Sequence, residues 1–293
     1  MIPLYPSKTN KITATTINAW WLRRQKHVMG IAVCFMAFAA IVWLSYEFWR
    51  FIEEPSRIRD YQVHPGAIDL KMRHQEVQAW FAGRPVYQQF PNAVYPPASY
   101  SILWLLLGWL ELAAAKWLWA FTSLAASGWL AYLLVRESMA DSGLESLFVA
   151  LMPFSMYATG ATIGNGQLIV HLMPMLLAGL ILLNRNENRF HIHILSALML
   201  LVCLVKPTIT VPFLWIVAFR TKSIRPLFLI CAGYIMLTLV SSSFQETGLI
   251  KLCHDWLSSS SEMITDEAGL LNLHGLMPVQ KLGLSKARST KYA

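Results

Sequence analysis

A series of long, nearly uncharged apolar runs constrains the fold of this chain more than any other feature. The sequence contains eight such runs, each of about 15 to 22 residues, at residues 28–49, 98–113, 115–135, 146–160, 167–183, 192–205, 206–219 and 227–242. A bilayer core about 30 Å thick needs roughly 20 apolar helical residues to cross it. Only 14% of the residues are charged, whereas roughly 25% are charged in a typical soluble domain. The sequence therefore predicts an all-α fold, a polytopic bundle of transmembrane helices.

The charged residues are concentrated between the apolar runs, and their signs differ from one connection to the next. Residues 1–27 carry five bases and no acid, residues 220–225 carry three bases and no acid, and residues 243–275 carry five acids against one lysine. Because bases accumulate on the cytoplasmic side of membrane proteins, the first two segments are predicted to face the cytoplasm and the third to face outward. The net charge of +8 is thus explained by membrane topology and does not indicate nucleic-acid binding.

The predicted sides of these segments require an odd number of crossings, so the eight apolar runs cannot each cross the bilayer. Either residues 192–219 form one helix that is broken near Pro207, or residues 98–135 make a single net crossing. The second arrangement has seven crossings. It suits the positive-inside rule better, because it places Arg185 and Arg189 on the cytoplasmic side.

This pattern divides the chain into three segments. Residues 1–27 form a cytoplasmic N-terminal segment, residues 28–242 the transmembrane core, and residues 243–293 a polar loop with a basic tail. The first apolar run lacks a small-residue cleavage site, so it is predicted to remain as the first transmembrane helix of a multi-pass protein of the cell membrane. Within the core, residues 50–97 form the first outward loop, which is far longer than a passive connection between helices.

The first outward loop contains a predicted surface helix and a candidate catalytic acid. Residues 66–83 are predicted to form an amphipathic helix along the membrane surface. Its apolar face would comprise Ile68, Met72, Val77, Trp80 and Phe81. Asp69 lies near the start of this helix, where a carboxylate is suited to act as a general base toward an acceptor hydroxyl. The alternative is a helix-start aspartate that interacts only with the helix dipole.

Two further segments interrupt the apolar pattern with residues suited to bind a substrate. The sequence YQQFPNAVYPP begins at Tyr87, and its last two prolines predict an extended start to the next helix, with Tyr95 at the interface. Residues 164–167 read GNGQ. Their glycines permit a close approach to a ligand, and the amides of Asn165 and Gln167 can hold sugar hydroxyls. The alternatives are structural: a rigid helix start with an aromatic anchor, and a simple interhelical turn.

Lys206 precedes Pro207 within a long apolar stretch, where a charge is costly and is commonly functional. In the second arrangement, where residues 98–135 make one net crossing, it lies on the outward side, where its ammonium is suited to bind a lipid phosphate. The alternative is that it snorkels to the interface. Glu47 and Glu111 lie near the ends of apolar runs and are expected to be interfacial. The histidines show no metal-binding spacing and the four cysteines form no CxxC pair, so no metal site, cofactor or disulfide framework is predicted.

Taken in order, these motifs resemble glycosyltransferase family 87, the polyprenyl-phosphate-mannose-dependent alpha-mannosyltransferases of the GT-C fold. The shared order is a first transmembrane helix, an outward loop with an aspartate, a Gly-x-x-x-Tyr segment, then YPP, GQ and KP. In this chain the motif residues are Asp69, Gly83 with Tyr87, Tyr95–Pro97, Gly166–Gln167 and Lys206–Pro207. The resemblance covers roughly residues 28–240.

The resemblance implies an inverting, metal-independent transfer of a hexose, expected to be mannose, on the outer face of the membrane. The donor would be a polyprenyl-phosphate sugar, and the acceptor would be a lipid or a glycan. The enzyme would also contact membrane lipid, and no nucleic acid would be involved. Asp69 would be the catalytic base, and Lys206 would contact the donor phosphate. The residues predicted to bind substrate are Lys206, Gln167, Tyr95, Tyr87 and Asn165.

Two other functions are alternatives to this one. A multi-pass transporter or flippase-like protein commonly places its charged site near the bilayer midplane, between internal repeats. Here the candidate charge lies in an outward loop, and the sequence shows no repeat. Family members are usually longer and have more helices, so the chain is also expected to lack a C-terminal part. A non-catalytic remnant of the family is therefore the second alternative.

Overall fold

The computed structural model describes residues 8–54, 57–58, 61–62, 66–90, 92–185, 189–220 and 224–276. Its helices are α1 (Lys8–Glu53), α2 (Ile68–Phe81), α3 (Val86–Gln89), α4 (Pro97–Leu103), α5 (Leu112–Glu137), α6 (Gly143–Ser155), α7 (Tyr157–Asn165), α8 (Ile169–Arg185), α9 (Phe190–Cys203), α10 (Pro207–Arg220), α11 (Arg225–Ser242) and α12 (Leu249–Leu276). A π-helical turn, Trp104–Gly108, continues α4. In the described ranges, β structure is limited to the two-residue pair β1 (Arg57–Ile58) and β2 (Tyr61–Gln62), which is antiparallel. The predicted all-α class is confirmed.

The helices are long and apolar enough to identify a membrane protein. Three of them meet the length and hydropathy of a membrane span, at Arg24–Glu53, Leu112–Glu137 and Arg225–Ser242. The successive helices α6 and α7 give a fourth span if their 46° bend lies within one crossing. Large apolar side chains of α1 face outward, with Ile31 and Phe35 each 71% exposed. Such a surface is stable only against lipid or another apolar partner.

Most predicted apolar runs correspond to one helix, but the run at 146–160 forms two helices and the run at 98–113 ends early. The run at 146–160 is broken at Met156 into α6 and α7, three residues after Pro153, which weakens the helical hydrogen bonding. The first half of the 98–135 region ends at Gly108 and forms only a short helix. The helices α9 and α10 have 14 residues each, or about 21 Å at 1.5 Å per residue. The number of crossings therefore stays a prediction, as do the three predicted segments; the basic tail lies outside the described residues.

The chain divides into two compact units. The first comprises residues 1–73, 110–203 and 207–230. Its core includes Ala126, Ile163 and Val170, against which Leu44 and Phe48 of α1 pack. The helix α6 begins with a capping box, in which the Ser142 hydroxyl accepts from the Glu145 amide at 3.2 Å and the Glu145 carboxylate accepts from the Asp141 amide at 2.9 Å.

The second unit comprises residues 74–109, 204–206 and 231–293. Pro96 is extended at φ −66° and ψ 158°, and Pro97 occupies the first turn of α4. The predicted extended start of this helix is confirmed. Trp80 stacks on Tyr100 with ring centroids 4.2 Å apart. Its indole nitrogen donates to the Ser241 carbonyl at 2.9 Å, which attaches α2 to the end of α11.

The helix predicted at 66–83 is present as α2, but the predicted apolar face is wrong. Three of its members, Ile68, Met72 and Phe81, are only half-buried. The buried side chains of α2 are Leu70, Arg73, Glu76, Val77, Ala79 and Trp80. This face follows helical spacing but includes two charged residues. The helix is therefore packed by its own protein through a partly charged face, which an apolar count does not reveal.

Candidate functional site

Asp69 lies in the first turn of α2 and belongs to the first unit. Its side chain is half-buried. Within the described ranges, no hydrogen bond or ion pair engages its carboxylate. The backbone on both sides is held: the Ala67 amide donates to the Gly164 carbonyl at 2.8 Å, and Leu70 is fully buried. The carboxylate is therefore free to act while its backbone is fixed.

A buried ion pair lies at the end of α1 in the same unit. Glu47 is 2% exposed and Arg50 is 7% exposed. Arg50 Nε donates to Glu47 Oε2 at 2.8 Å, and its terminal Nη2 lies 2.7 Å from the same oxygen. Residues of α7 cover the Glu47 carboxylate, so this residue is buried within the protein, and its expected place at the membrane interface stays a prediction. Glu111, by contrast, is exposed.

The turn after α7 connects the buried ion pair to the loop that carries Asp69. Arg50 Nη2 donates to Asn165 Oδ1 at 2.8 Å. The neighbouring Gly164 carbonyl accepts the Ala67 amide. Gly166 ends α7 in the left-handed conformation at φ +72°, which glycine adopts without strain. The structure thus brings the loop that carries Asp69 and the GNGQ segment together.

The two amides of the GNGQ segment differ in what they offer a ligand. The oxygen of Asn165 is engaged by Arg50, which leaves its amino group for other partners. Gln167 is half-buried, and its side-chain amide contacts no hydrogen-bonding group in the described part of the chain. Gln167 therefore has both a donor and an acceptor available for sugar hydroxyls.

A cluster of opposite charges lies beside Asp69. The Lys71 ammonium pairs with the Glu54 carboxylate. Lys116 Nζ lies 2.7 Å from Glu54 Oε1 and donates to the Ile52 carbonyl, also at 2.7 Å. Burial, and then the charge of Lys116, lower the pKa of Lys71. These contacts fasten the start of α5 and the second turn of α2 to the end of α1.

The second unit contains the other three predicted site residues. The Tyr87 hydroxyl donates to the Tyr95 carbonyl at 2.8 Å, so it holds the segment before α4 in place. Burial raises the pKa of Tyr87 far above its usual range. Helix α12 supports the same segment, because Trp256 Nε1 donates to the Val94 carbonyl at 2.9 Å and the Ser259 hydroxyl donates to the Ala93 carbonyl at 2.9 Å.

Lys206 lies in the short connection between α9 and α10 and is half-buried. The buried Ser99 hydroxyl of α4 donates to the carbonyl of Val205, immediately before it, at 2.9 Å. No acid or carbonyl in the described ranges pairs with the Lys206 ammonium. The second unit thus places Lys206 beside the beginning of α4. This helix begins at Pro97, shortly after Tyr95.

Sequence reasoning missed Arg50 and did not predict the burial of Glu47. Their spacing of three residues near a helix end is typical of a surface pair, which contributes little. The available signal was the charged pair at the end of an apolar run. Two glycines, Gly164 and Gly66, leave room for the close approach of other elements to this pair. For metal binding, the described residues contain no group of three His, Cys, Asp or Glu side chains placed to hold an ion.

Comparison with known proteins identifies the family. The model of glycosyltransferase family 87 matches residues 93–276, more than half of the chain. The matched region contains Tyr95, Asn165, Gln167 and Lys206, and it begins after Asp69. No curated protein and no solved structure matches the chain. The apolar helices and the family match together show that this chain is a membrane glycosyltransferase and belongs to glycosyltransferase family 87.

Proposed function

We propose that this glycosyltransferase moves a hexose, most simply mannose, from a polyprenyl-phosphate sugar to a hydroxyl of a lipid or glycan on the outer face of the cell membrane. The observation that carries the proposal is the half-buried carboxylate of Asp69, which lies on an anchored loop and has no hydrogen-bond or ion-pair partner among the described residues. A base with no protein partner is suited to take a proton from a bound hydroxyl.

The reaction is a single displacement. Asp69 accepts the proton of the acceptor hydroxyl as its oxygen forms a bond to the anomeric carbon of the sugar. The bond from that carbon to the phosphate oxygen breaks on the opposite face, and the electron pair leaves with the polyprenyl phosphate. Attack and departure on opposite faces invert the anomeric configuration.

The remaining predicted residues have binding roles in this proposal. Lys206 is placed to offset the negative charge that grows on the departing phosphate. This contact supplies charge stabilisation from the protein itself, in keeping with a metal-independent transfer. The amide of Gln167 holds sugar hydroxyls, as does the amino group of Asn165, while Tyr95 and Tyr87 contact the substrate.

The experiment compares two classes of donor. Membranes that contain the chain are supplied with radiolabelled polyprenyl-phosphate mannose or with a nucleotide-diphosphate mannose, and lipids and glycans are extracted. Membranes lacking the chain are the control. We expect label to pass directly from the polyprenyl-phosphate donor, and equal amounts of polyprenyl-phosphate glucose test the choice of hexose. Transfer from the nucleotide sugar alone would contradict the proposal, and transport of the donor without a labelled product would indicate a flippase.

A further inference from the structure

The ion pair of α1 is buried, and burying charged groups costs a large free energy unless their hydrogen-bonding groups are paired. Glu47 and Arg50 have side chains 3% and 8% exposed. Glu47 alone would satisfy the charge of Arg50, yet the guanidinium also reaches Asn165 of another helix at 2.8 Å. The pair therefore does more than neutralise itself, because it links α1 to the end of α7.

A further contact joins the end of α7 to the loop that leads to Asp69. Asn165 is followed and preceded by glycine, and the carbonyl of Gly164 accepts the amide of Ala67 at 2.8 Å. Ala67 is fully buried and has φ +57°, a left-handed conformation that is strained for alanine. Strained backbone persists only where its surroundings fix it. Asp69 follows two residues later.

Two glycines allow these elements to approach more closely than any side chain would permit. A Cβ atom on Gly164 would lie 1.8 Å from Glu47 Oε2, and one on Gly66 would lie 2.0 Å from the Arg50 carbonyl oxygen. The loop before α2 thus rests directly on the backbone of α1, and the end of α7 rests directly on the ion pair. Arg50 contacts both sides of this junction, through its carbonyl and through its guanidinium.

We propose that Arg50 is the positioning residue for Asp69. Its guanidinium fixes Asn165 and the Gly164 carbonyl, this carbonyl fixes Ala67, and the position of Ala67 sets where the Asp69 carboxylate stands. The inference rests on the proposed function, in which Asp69 is the base. Because Arg50 acts through Asp69, its loss should affect the chemical step and leave donor binding unchanged.

Arginine is required at this position because one planar group must serve two acceptors. In Arg50→Lys, a compact ammonium still neutralises Glu47, so no buried carboxylate is left unpaired, but the hydrogen bond to Asn165 is lost. Asn165→Ala tests the same link from the other side and leaves the ion pair intact. Asn184→Ala, at an exposed position near the end of α8, is the matched control.

The test combines steady-state transfer from polyprenyl-phosphate mannose with hydrogen exchange on purified full-length protein. For Arg50→Lys we expect kcat to fall about 10- to 100-fold, as for a misplaced catalytic group, with the donor KM within about twofold of the parent. Asn165→Ala should lower kcat by a similar factor and also raise the donor KM, because it removes the amino group that holds sugar hydroxyls. We expect peptides spanning residues 66–72 to exchange deuterium about tenfold faster, as in local opening. In an Asp69→Asn background the same changes should lower residual activity by less than about twofold, since the group they position is absent. Asn184→Ala should match the parent in each measurement.

Several results would overturn the inference. Unchanged kcat and unchanged exchange in residues 66–72 would show that Arg50 stabilises the fold without positioning the loop. A raised KM with parental kcat in Arg50→Lys would show that the ion pair supports donor binding and does not position the base. Equal losses in the parent and Asp69→Asn backgrounds would show that the effect bypasses Asp69. If Asp69→Asn alone retains parental activity, Asp69 is not the catalytic base and the proposed function is refuted. The positioning role of Arg50 depends on that base and is then refuted as well.

Discussion

A methyl group added to Gly164 should destabilise the protein, although the same change usually strengthens a helix. The Cβ atom would lie 1.8 Å from Glu47 Oε2 and 2.6 Å from Arg50 Nη2, so Gly164→Ala must displace one member of the ion pair. Leaving a buried charge without its partner costs about 3–5 kcal/mol. Replacing glycine by alanine inside a helix returns about 0.5–1 kcal/mol. The net loss is therefore about 2–4 kcal/mol.

The assay is the apparent melting temperature of the purified protein in detergent, followed by tryptophan fluorescence. At about 2 °C per kcal/mol for a chain of this size, Gly164→Ala should melt about 4–8 °C below the parent. Gly128→Ala is the matched control: Gly128 is also within a helix, α5, and its added Cβ would meet nothing within 4 Å. Its melting temperature should equal or slightly exceed the parental value.

The contrast between the two glycines is what the reasoning predicts. If Gly164→Ala melts at or above the parental temperature, displacing the ion pair does not lower the free energy of unfolding. The close approach of α7 to α1 would then not contribute to stability. If both variants melt lower by the same amount, glycine is needed in these helices for another reason. Either result would refute the account of the junction.

Three further predictions concern the second unit and the topology. Burial raises the pKa of Tyr87, so the folded protein keeps this phenol neutral. The stability that this contributes is full below about pH 10 and falls as pH rises beyond it. Above that pH the melting temperature of Tyr87→Phe should therefore decline less steeply than the parental value, and parallel curves would contradict this. Lys206→Met should raise the donor KM, lower kcat, or both, at normal membrane levels, and Lys206→Arg should restore only part of the loss; unchanged kinetics would indicate a snorkelling lysine. In a background without native cysteines, a cysteine at Gln88 should react with an impermeant thiol reagent in intact cells, whereas a cysteine at Ile224 should react only after lysis. The reverse pattern would contradict the predicted topology.

The helices could be predicted from the sequence because an apolar run of sufficient length has few other stable states. The breaks within runs were harder to predict. The bend at Met156 follows Pro153, a visible signal, yet proline is tolerated within transmembrane helices. The short helices α9 and α10 meet at Lys206–Pro207, where the sequence allowed either a broken helix or two separate elements.

The site was predictable only where its residues could be recognised one at a time. Asp69 was identified from its place in a long outward loop, and the GNGQ segment from its interruption of an apolar run. The link between them could not be read from the chain, because it consists of contacts between Arg50, Asn165 and Ala67. Spacing along α1 places Glu47 beside Arg50 but gives no information on the cover that α7 provides.

The same limit applies to the buried face of α2. Arg73 and Glu76 are 7% and 1% exposed, although charged residues are rarely fully buried. A prediction from apolar periodicity assigns such residues to solvent. Only the tertiary structure shows that this helix buries charge, and this explains why its buried face differs from the predicted apolar face.

The transfer rate of Asp69→Asn tests the central claim most directly. The amide keeps the shape of the carboxylate but cannot accept a proton, and removal of a general base typically lowers a rate by about 10²- to 10⁴-fold. Asp141→Asn, at an exposed turn before α6, is the control. With purified protein and labelled polyprenyl-phosphate mannose, we expect Asp69→Asn to lose about that much activity at a parental melting temperature, while Asp141→Asn keeps full activity. Activity of Asp69→Asn within about threefold of the parent, well short of the loss expected on removal of a base, would contradict the assignment of Asp69 as the catalytic base.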